Sequence, residues 1–248
     1  MEEEVKKVFG DCTIEVQEYI IKAFKYFSNI DPEEASKNFM MLCQIKDVIP
    51  EFKIVFDSSK PTQFDPEKNE INMSRTNYLT FLHECGHSFH YVYDRYGIPE
   101  EFDELKNQIS SDDETQKKCM VVINELDECV QKINNAVDDE SISDEEYSEL
   151  LIKQKAFLLT EDLIDAVCDG KTQHGHGSSY YSDSSVAFSE VFADYVAIRN
   201  SSEKNFSLTL LQKCLGEKMV NMLEKKYKDV FQGMPTGINY EETDKKRK

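Results

Sequence analysis

Two histidines one helical turn apart constrain the fold of this chain more than any other feature. His83 and His87 flank Glu84 in a segment, from about Thr76 to Tyr96, whose apolar residues recur with the helical period and which Gly97 closes. Residues four apart lie on one face of a helix, so both imidazoles can converge on one metal ion while Glu84 points to the side. The pattern therefore predicts a helical H-E-x-x-H metal site. The alternative is an amphipathic helix with ordinary surface histidines.

The same helix does not supply a third histidine ligand. The extended motif with three histidines requires Gly at position 90 and His at position 93, whereas this chain has His90 and Tyr93. We expect His90 to pack against its neighbours or to contact one of the metal-binding residues, rather than to bind the metal itself. Two imidazoles with one carboxylate favour zinc, because they leave a tetrahedral position open for water. The third ligand must come from a distant helix.

A second helical pattern, from about Ser184 to Ile198, offers that ligand. Glu190 and Asp194 lie one turn apart in it, beside an apolar face. We predict that Glu190 binds the zinc and that Asp194 accepts the other imidazole N–H of His83 or His87, which fixes its tautomer. The alternative is two acidic residues on a solvated helix face.

The remaining two histidines lie in a loop rich in glycine and serine, at about 170–183. His174 and His176 alternate with glycines there, which predicts a mobile segment, and Tyr180 and Tyr181 follow directly. His176 and Tyr181 are our candidates for donating a hydrogen bond to the oxyanion that forms during peptide hydrolysis. The competing interpretation is a structural turn with aromatic packing.

The rest of the chain predicts an α+β, mainly helical fold. Apolar periodicity and capping residues indicate further helices at about 12–28, 32–47, 115–136, 144–168, 207–214 and 217–231. Alternation of apolar and polar residues indicates a small sheet, with one strand at 52–57 and a hairpin that joins 62–64 to 71–73. Acidic runs near residues 112, 138 and 144 are interpreted as solvated helix starts and loops.

Charge and composition exclude several classes of partner. The net charge of −19 repels phosphate backbones and anionic lipid headgroups, so we expect no nucleic acid and no membrane partner. The N-terminal residues lack the pattern of a secretory signal and no apolar run is long enough to span a membrane, which predicts a cytoplasmic protein. Delivery by a non-classical route stays open. Seven scattered cysteines are expected to be mostly buried thiols.

The two helical motifs together resemble the zincin metallopeptidases whose third ligand is glutamate, the gluzincins. The phrase at 188–195 is similar to that of lethal-factor-like peptidases. Residues 163–231 resemble the metallopeptidase-like domains at the C-terminus of phage minor head proteins and in related bacterial toxins. The residues that carry this second resemblance outside the ligand helix are Gly170, Lys171, His176, Gly177, Tyr180 and Tyr181. The resemblance implies a zincin-like domain with one zinc ion per chain and a peptide or protein substrate.

The spacing of the motifs determines the predicted domain organisation. Glu190 follows His87 by 103 positions, far more than in compact gluzincins, so the intervening helices are predicted to be an insertion or cap. The predicted segments are an N-terminal helical part at 1–50, the small sheet and H-E-x-x-H helix at 51–97, the insertion at 98–169, the C-terminal helical half at 170–240 and a disordered tail at 241–248. Residues 51–240 form one catalytic domain in this prediction.

The predicted function is a zinc metalloendopeptidase. Zinc-activated water attacks the peptide bond, and Glu84 acts as the general base and then delivers the proton to the leaving amine. The alternative, from another class, is a catalytically silent, metal-stabilised assembly or binding module of phage or toxin origin. Glu84 argues against it, because a purely structural site needs no general base. Self-cleavage, a toxin-like effector role and the oligomeric state stay open.

Overall fold

Ten helices and three strands make up the described residues of the computed structural model, which are 1–74, 77–93, 98–138 and 141–232. The helices are α1 (Glu2–Val8), α2 (Ile14–Ile30), α3 (Pro32–Val48), α4 (Tyr78–Tyr93), α5 (Glu100–Ser111), α6 (Asp113–Val137), α7 (Asp144–Val167), α8 (Ser184–Arg199), α9 (Lys204–Leu215) and α10 (Glu217–Gln232). The strands are β1 (Lys53–Phe56), β2 (Gln63–Asp65) and β3 (Glu70–Met73). The prediction of a mainly helical fold with a small sheet is confirmed.

Local capping explains where several helices begin. Thr13 accepts a hydrogen bond from a backbone N–H in the first turn of α2, and Asp31 does the same for α3, where Pro32 occupies the first helical position. Ser143 and Glu146 form a reciprocal capping box at the start of α7. The acidic runs at 112–114 and 144–146 therefore lie at helix starts, as predicted, whereas Asp138 of the third run follows the end of α6.

The three strands form one sheet in the order β1-β3-β2. β1 pairs with β3 in parallel, with Ile54 opposite Ile71, and β2 pairs with β3 in an antiparallel hairpin, with Phe64 opposite Ile71. The predicted hairpin is confirmed. Because β3 is central and buried, β2 is left as an edge strand, and this edge strand packs against α4.

A glycine allows α4 and α8 to cross at close range. A Cβ atom added to Gly86 would lie 2.8 Å from the Cα atom of Ala193, closer than real Cβ atoms approach backbone. α7 packs along another side of α8, and α6 packs on α7. Apolar residues from Val5 to Val230 join one core cluster, to which the predicted insertion at 98–169 also contributes.

Ion pairs hold the C-terminal end of α8. Arg199 lies 2.9 Å from Glu34 of α3 and also contacts Glu224 of α10. The hydroxyl of Tyr227 donates to Glu34 at 2.7 Å. A buried network therefore ties α8 to the first and last parts of the described chain.

Some predicted features lie outside the described residues. They are the start of the H-E-x-x-H helix at Thr76, its end at Gly97 and the tail at 241–248. The cysteines are free thiols, as expected. None of the helices in the described ranges is both long and apolar enough to cross a membrane.

Candidate metal centre

The H-E-x-x-H segment is helical, and its two histidines face the same point. His83 and His87 lie one turn apart on α4, and their Nε2 atoms are 3.1 Å apart with the rings nearly perpendicular. His83 is buried, and His87 is partly buried. The geometry therefore presents two imidazole nitrogens to a common position, as the helical spacing predicts.

α8 brings a carboxylate to the same position. Oε2 of Glu190 lies 3.5 Å from Nε2 of His83 and 3.3 Å from Nε2 of His87. Glu190 is 5% exposed, and within the described ranges this oxygen accepts no hydrogen bond. Burial alone would raise the pKa of Glu190, but the two imidazoles outweigh it and hold this pKa well below its usual range. An ionised, buried oxygen is thus directed at both histidines.

The spacing of these three atoms fits a metal ion. At the Zn–N and Zn–O bond lengths usual in proteins, two ligand atoms of a tetrahedral site are separated by about 3.3–3.4 Å. The three observed separations, 3.1, 3.3 and 3.5 Å, lie around that value. His83, His87 and Glu190 could therefore hold a metal ion.

Two further residues of α8 approach the imidazoles on the side away from the metal position. Nδ1 of His83 lies 2.8 Å from Oδ1 of Asp194, and Nδ1 of His87 lies 2.9 Å from the Oγ of Ser189. Burial disfavours the charged form of His83, but the carboxylates of Asp194 and Glu190 outweigh it and raise the pKa of His83 well above its usual value. With an oxygen atom close to Nδ1 of each ring, the Nε2 atom is the one left to face a metal ion.

The carboxylate of Glu84 is held by the edge strand. The backbone N–H of Phe64 in β2 donates to Oε2 of Glu84 at 2.8 Å. Glu84 is buried, and one of its oxygens belongs to the same group of potential ligand atoms as His83 and His87. The strand thus fixes a carboxylate beside the metal position without requiring that carboxylate as a ligand.

The two candidate tyrosines have different surroundings. Tyr181 is fully buried, and its hydroxyl donates to Asp162 and accepts from the backbone N–H of His176 at 3.1 Å. The hydroxyl of Tyr180 donates to Oε1 of Glu190 at 2.6 Å, and its ring stacks on that of His176 at 4.4 Å. Burial and the neighbouring Glu190 raise the pKa of Tyr180, so its hydroxyl remains a donor at neutral pH. Tyr180 and His176, rather than Tyr181, line the cavity at the site.

The loop before α8 is tied to α7 more firmly than its glycine content predicts. The buried carboxylate of Asp165 accepts backbone N–H groups of Thr172, Gln173 and Gly175 at 2.9–3.1 Å. A Cβ atom at Gly175 would lie 2.2 Å from Oδ1 of Asp162, so a larger residue there would displace this carboxylate. These contacts fix the path of the chain toward Tyr180.

His90 lies beside the site without joining the convergent set. Its ring packs against Phe188 and Phe192 of α8, with centroid distances of 5.4 and 5.7 Å. Packing of this kind is one of the two roles that the sequence predicts for His90.

The site opens into a cavity of about 870 Å³. One wall is formed by the edge strand and its flanks, residues 61–64 and 66, and another by α7 through Leu159 and Asp162. Tyr180 and His176 stand at the cavity, as does Glu84. The cavity is large enough for several residues of an extended peptide.

The structure brings together the predicted ligand set and its supporting residue, which are His83, His87, Glu190 and Asp194. Sequence reasoning missed Ser189 behind His87 and Asp162 behind Tyr181. Ser189 directly precedes Glu190, so its position near the site could have been inferred. Its hydrogen bond with His87 could not. Asp162 belongs to a short polar run, Thr160 to Asp162, that interrupts the apolar residues of α7, which was a usable signal.

Comparison with known protein families, with curated proteins and with solved structures finds no match for this chain. The resemblance to gluzincins stays a prediction.

Proposed function

We propose that this protein is a zinc-dependent peptidase. The observation that carries the proposal is the convergence of His83, His87 and Glu190 beside Glu84 in an open cavity. His83, His87 and Glu190 would hold the zinc ion, which would supply a Lewis acid for a carbonyl oxygen and lower the pKa of a water molecule. Glu84 lies beside the proposed zinc position without being one of its three ligands, which favours catalysis over a purely structural site.

Glu84 is the general base in this proposal. The N–H of Phe64 holds Oε2, so the carboxylate keeps one orientation, and Oε1 takes the proton from the attacking water. The protonated carboxyl then delivers the proton to the leaving amine. The edge strand that holds Glu84 also lines the cavity, where an extended peptide lies along β2.

Tyr180 is the oxyanion donor in this proposal, in place of Tyr181. Its protonated hydroxyl is at the cavity, where it reaches Oε1 of Glu190 before substrate binds. His176 stacks on the Tyr180 ring and limits its movement. Asp194 and Ser189 keep both imidazoles in the tautomer that presents Nε2.

The experiment exposes a diverse peptide library to zinc-loaded protein and identifies new termini by mass spectrometry. Wild type is expected to cleave, and Glu84→Gln is expected to retain zinc but to cleave about 10²–10⁴-fold more slowly, because an amide cannot accept the proton. Glu101→Gln, an exposed position on α5, is the matched control and keeps wild-type activity.

Two results contradict the proposal. Zinc-loaded wild type that leaves the library intact favours the catalytically silent binding module. Equal cleavage by wild type and Glu84→Gln at equal zinc content excludes Glu84 as the base.

A further inference from the structure

A second group of potential metal ligands lies outside the site described above. Asp127 of α6, Glu161 of α7 and His174 of the following loop each offer one ligand atom, and these atoms lie within 4.8 Å of one another. The group shares no residue with the set formed by His83, His87 and Glu190. It joins three parts of the chain that are separated in sequence.

Glu161 is a buried carboxylate with incomplete hydrogen bonding. It is 2% exposed, and in the part of the chain that the structure describes its Oε1 atom has no hydrogen-bond partner. Burying a carboxylate without a partner is strongly unfavourable. A bound cation would supply the partner that this carboxylate lacks.

His174 lies close to the carboxylates of Glu161 and Asp127, but not within hydrogen-bond distance of either. Its Nδ1 atom is 3.6 Å from Oε2 of Glu161, and its Nε2 atom is 4.0 Å from Oδ2 of Asp127. Both distances exceed those of hydrogen bonds in proteins. A metal ion would bind one nitrogen of the imidazole, and one ligand atom from each of the three residues lies within 4.8 Å of the others.

We propose that Asp127, Glu161 and His174 bind a second divalent transition-metal cation, such as Zn²⁺ or Mn²⁺. One imidazole with two carboxylates suits these ions, whereas Ca²⁺ prefers an all-oxygen set. The side chain of Asp127 is 40% exposed, which gives the ion a path from solvent. This second metal site is independent of the proposed peptidase activity.

The second metal site ties the histidine loop to two long helices. α6 and α7 pack on each other, and His174 lies six residues before Tyr180, whose hydroxyl reaches Glu190. A cation at this position would add a fixed point to the hydrogen bonds that Asp165 already makes with the loop. The predicted role of the ion is to stabilise the loop in the conformation that presents Tyr180.

The test measures metal bound per full-length chain by elemental mass spectrometry after dialysis against micromolar ZnCl₂. Wild type is expected to bind about two zinc ions, His87→Ala about one, Glu161→Gln about one, and the double variant none. Glu128→Gln, the exposed neighbour of Asp127, is the matched control for the charge change and retains both ions. His174→Gln provides a second test in the loop, with circular dichroism to check that each variant is folded.

The type of cation is tested in the His87→Ala background. Zn²⁺ and Mn²⁺ are each expected to raise the melting temperature, whereas Ca²⁺ at the same concentration does not. The inference is overturned if wild type binds one zinc that His87→Ala loses, or if Glu161→Gln and His174→Gln bind as much as wild type. Either result leaves the first site loaded and the proposed function intact.

Discussion

Tyr180 and Tyr181 are adjacent in sequence, yet their hydroxyl groups meet different carboxylates. Tyr181 is buried against Asp162 on α7, whereas Tyr180 reaches Glu190 at the cavity. Sequence alone does not decide between them, because the path of a turn determines which of two neighbours faces the site. In our proposal Tyr180 therefore takes the role of oxyanion donor that the sequence analysis gave to Tyr181.

Matched phenylalanine substitutions separate the two roles. Tyr180→Phe is expected to lower kcat by about 10²–10³-fold with zinc retained, because the hydroxyl acts mainly in the transition state. Tyr181→Phe leaves Asp162 without its donor and is expected to lower the free energy of unfolding by about 1–3 kcal/mol while kcat per folded molecule is spared. Steady-state kinetics and urea unfolding measure both. A large fall in kcat for Tyr181→Phe alone would return the catalytic role to that residue.

At the scale of elements, the crossing of α4 and α8 brings together the residues of the candidate metal centre. α4 contributes both histidines and α8 contributes Glu190, Asp194 and Ser189, so the separation of the two helices sets the distances between ligands. Gly86, inside the H-E-x-x-H motif, is the residue that allows this separation.

Gly86→Ala tests that crossing. In an exposed helix this change would stabilise by about 1 kcal/mol. Here the added Cβ would meet the Cα of Ala193 at 2.8 Å, so we expect a net loss of about 1–3 kcal/mol in the free energy of unfolding and weaker zinc binding. Thermal unfolding and zinc titration provide the measurements. A higher melting temperature with unchanged zinc affinity would show that the helices have room at this point.

Elements with a clear apolar period were predictable from sequence, and two helices were not. α1 is short and has one buried residue within its bounds, Val5, while α5 has three acidic residues in its first turn and no side-chain cap. Their apolar contacts form only when the rest of the core is present. The common direction of His83 and His87 was predictable because residues four apart share one face of a helix, whereas the loop contacts of Asp165 depend on tertiary packing.

For the whole molecule, His90 links stability to pH. Burial, with His87 and Lys226, lowers the pKa of His90 from its ordinary value to about 4. The unfolded chain binds a proton at this residue below about pH 6.5, whereas the folded chain does so only below about pH 4. The folded state therefore loses stability as the pH falls through this window.

The pH dependence is checked by comparing metal-free wild type with metal-free His90→Gln. Between pH 7 and pH 5, wild type is expected to lose up to about 2 kcal/mol more of its free energy of unfolding than the variant loses. Urea unfolding at each pH gives the two curves. Parallel curves would mean that His90 does not contribute to acid sensitivity.

The location of bound zinc tests the central claim most directly. Crystals of zinc-loaded protein, measured on both sides of the zinc absorption edge, give an anomalous difference map. We predict a peak between α4 and α8, about 2.0–2.1 Å from Nε2 of His83, Nε2 of His87 and Oε2 of Glu190. A map without a peak at that position, in protein shown to contain zinc, would contradict the account.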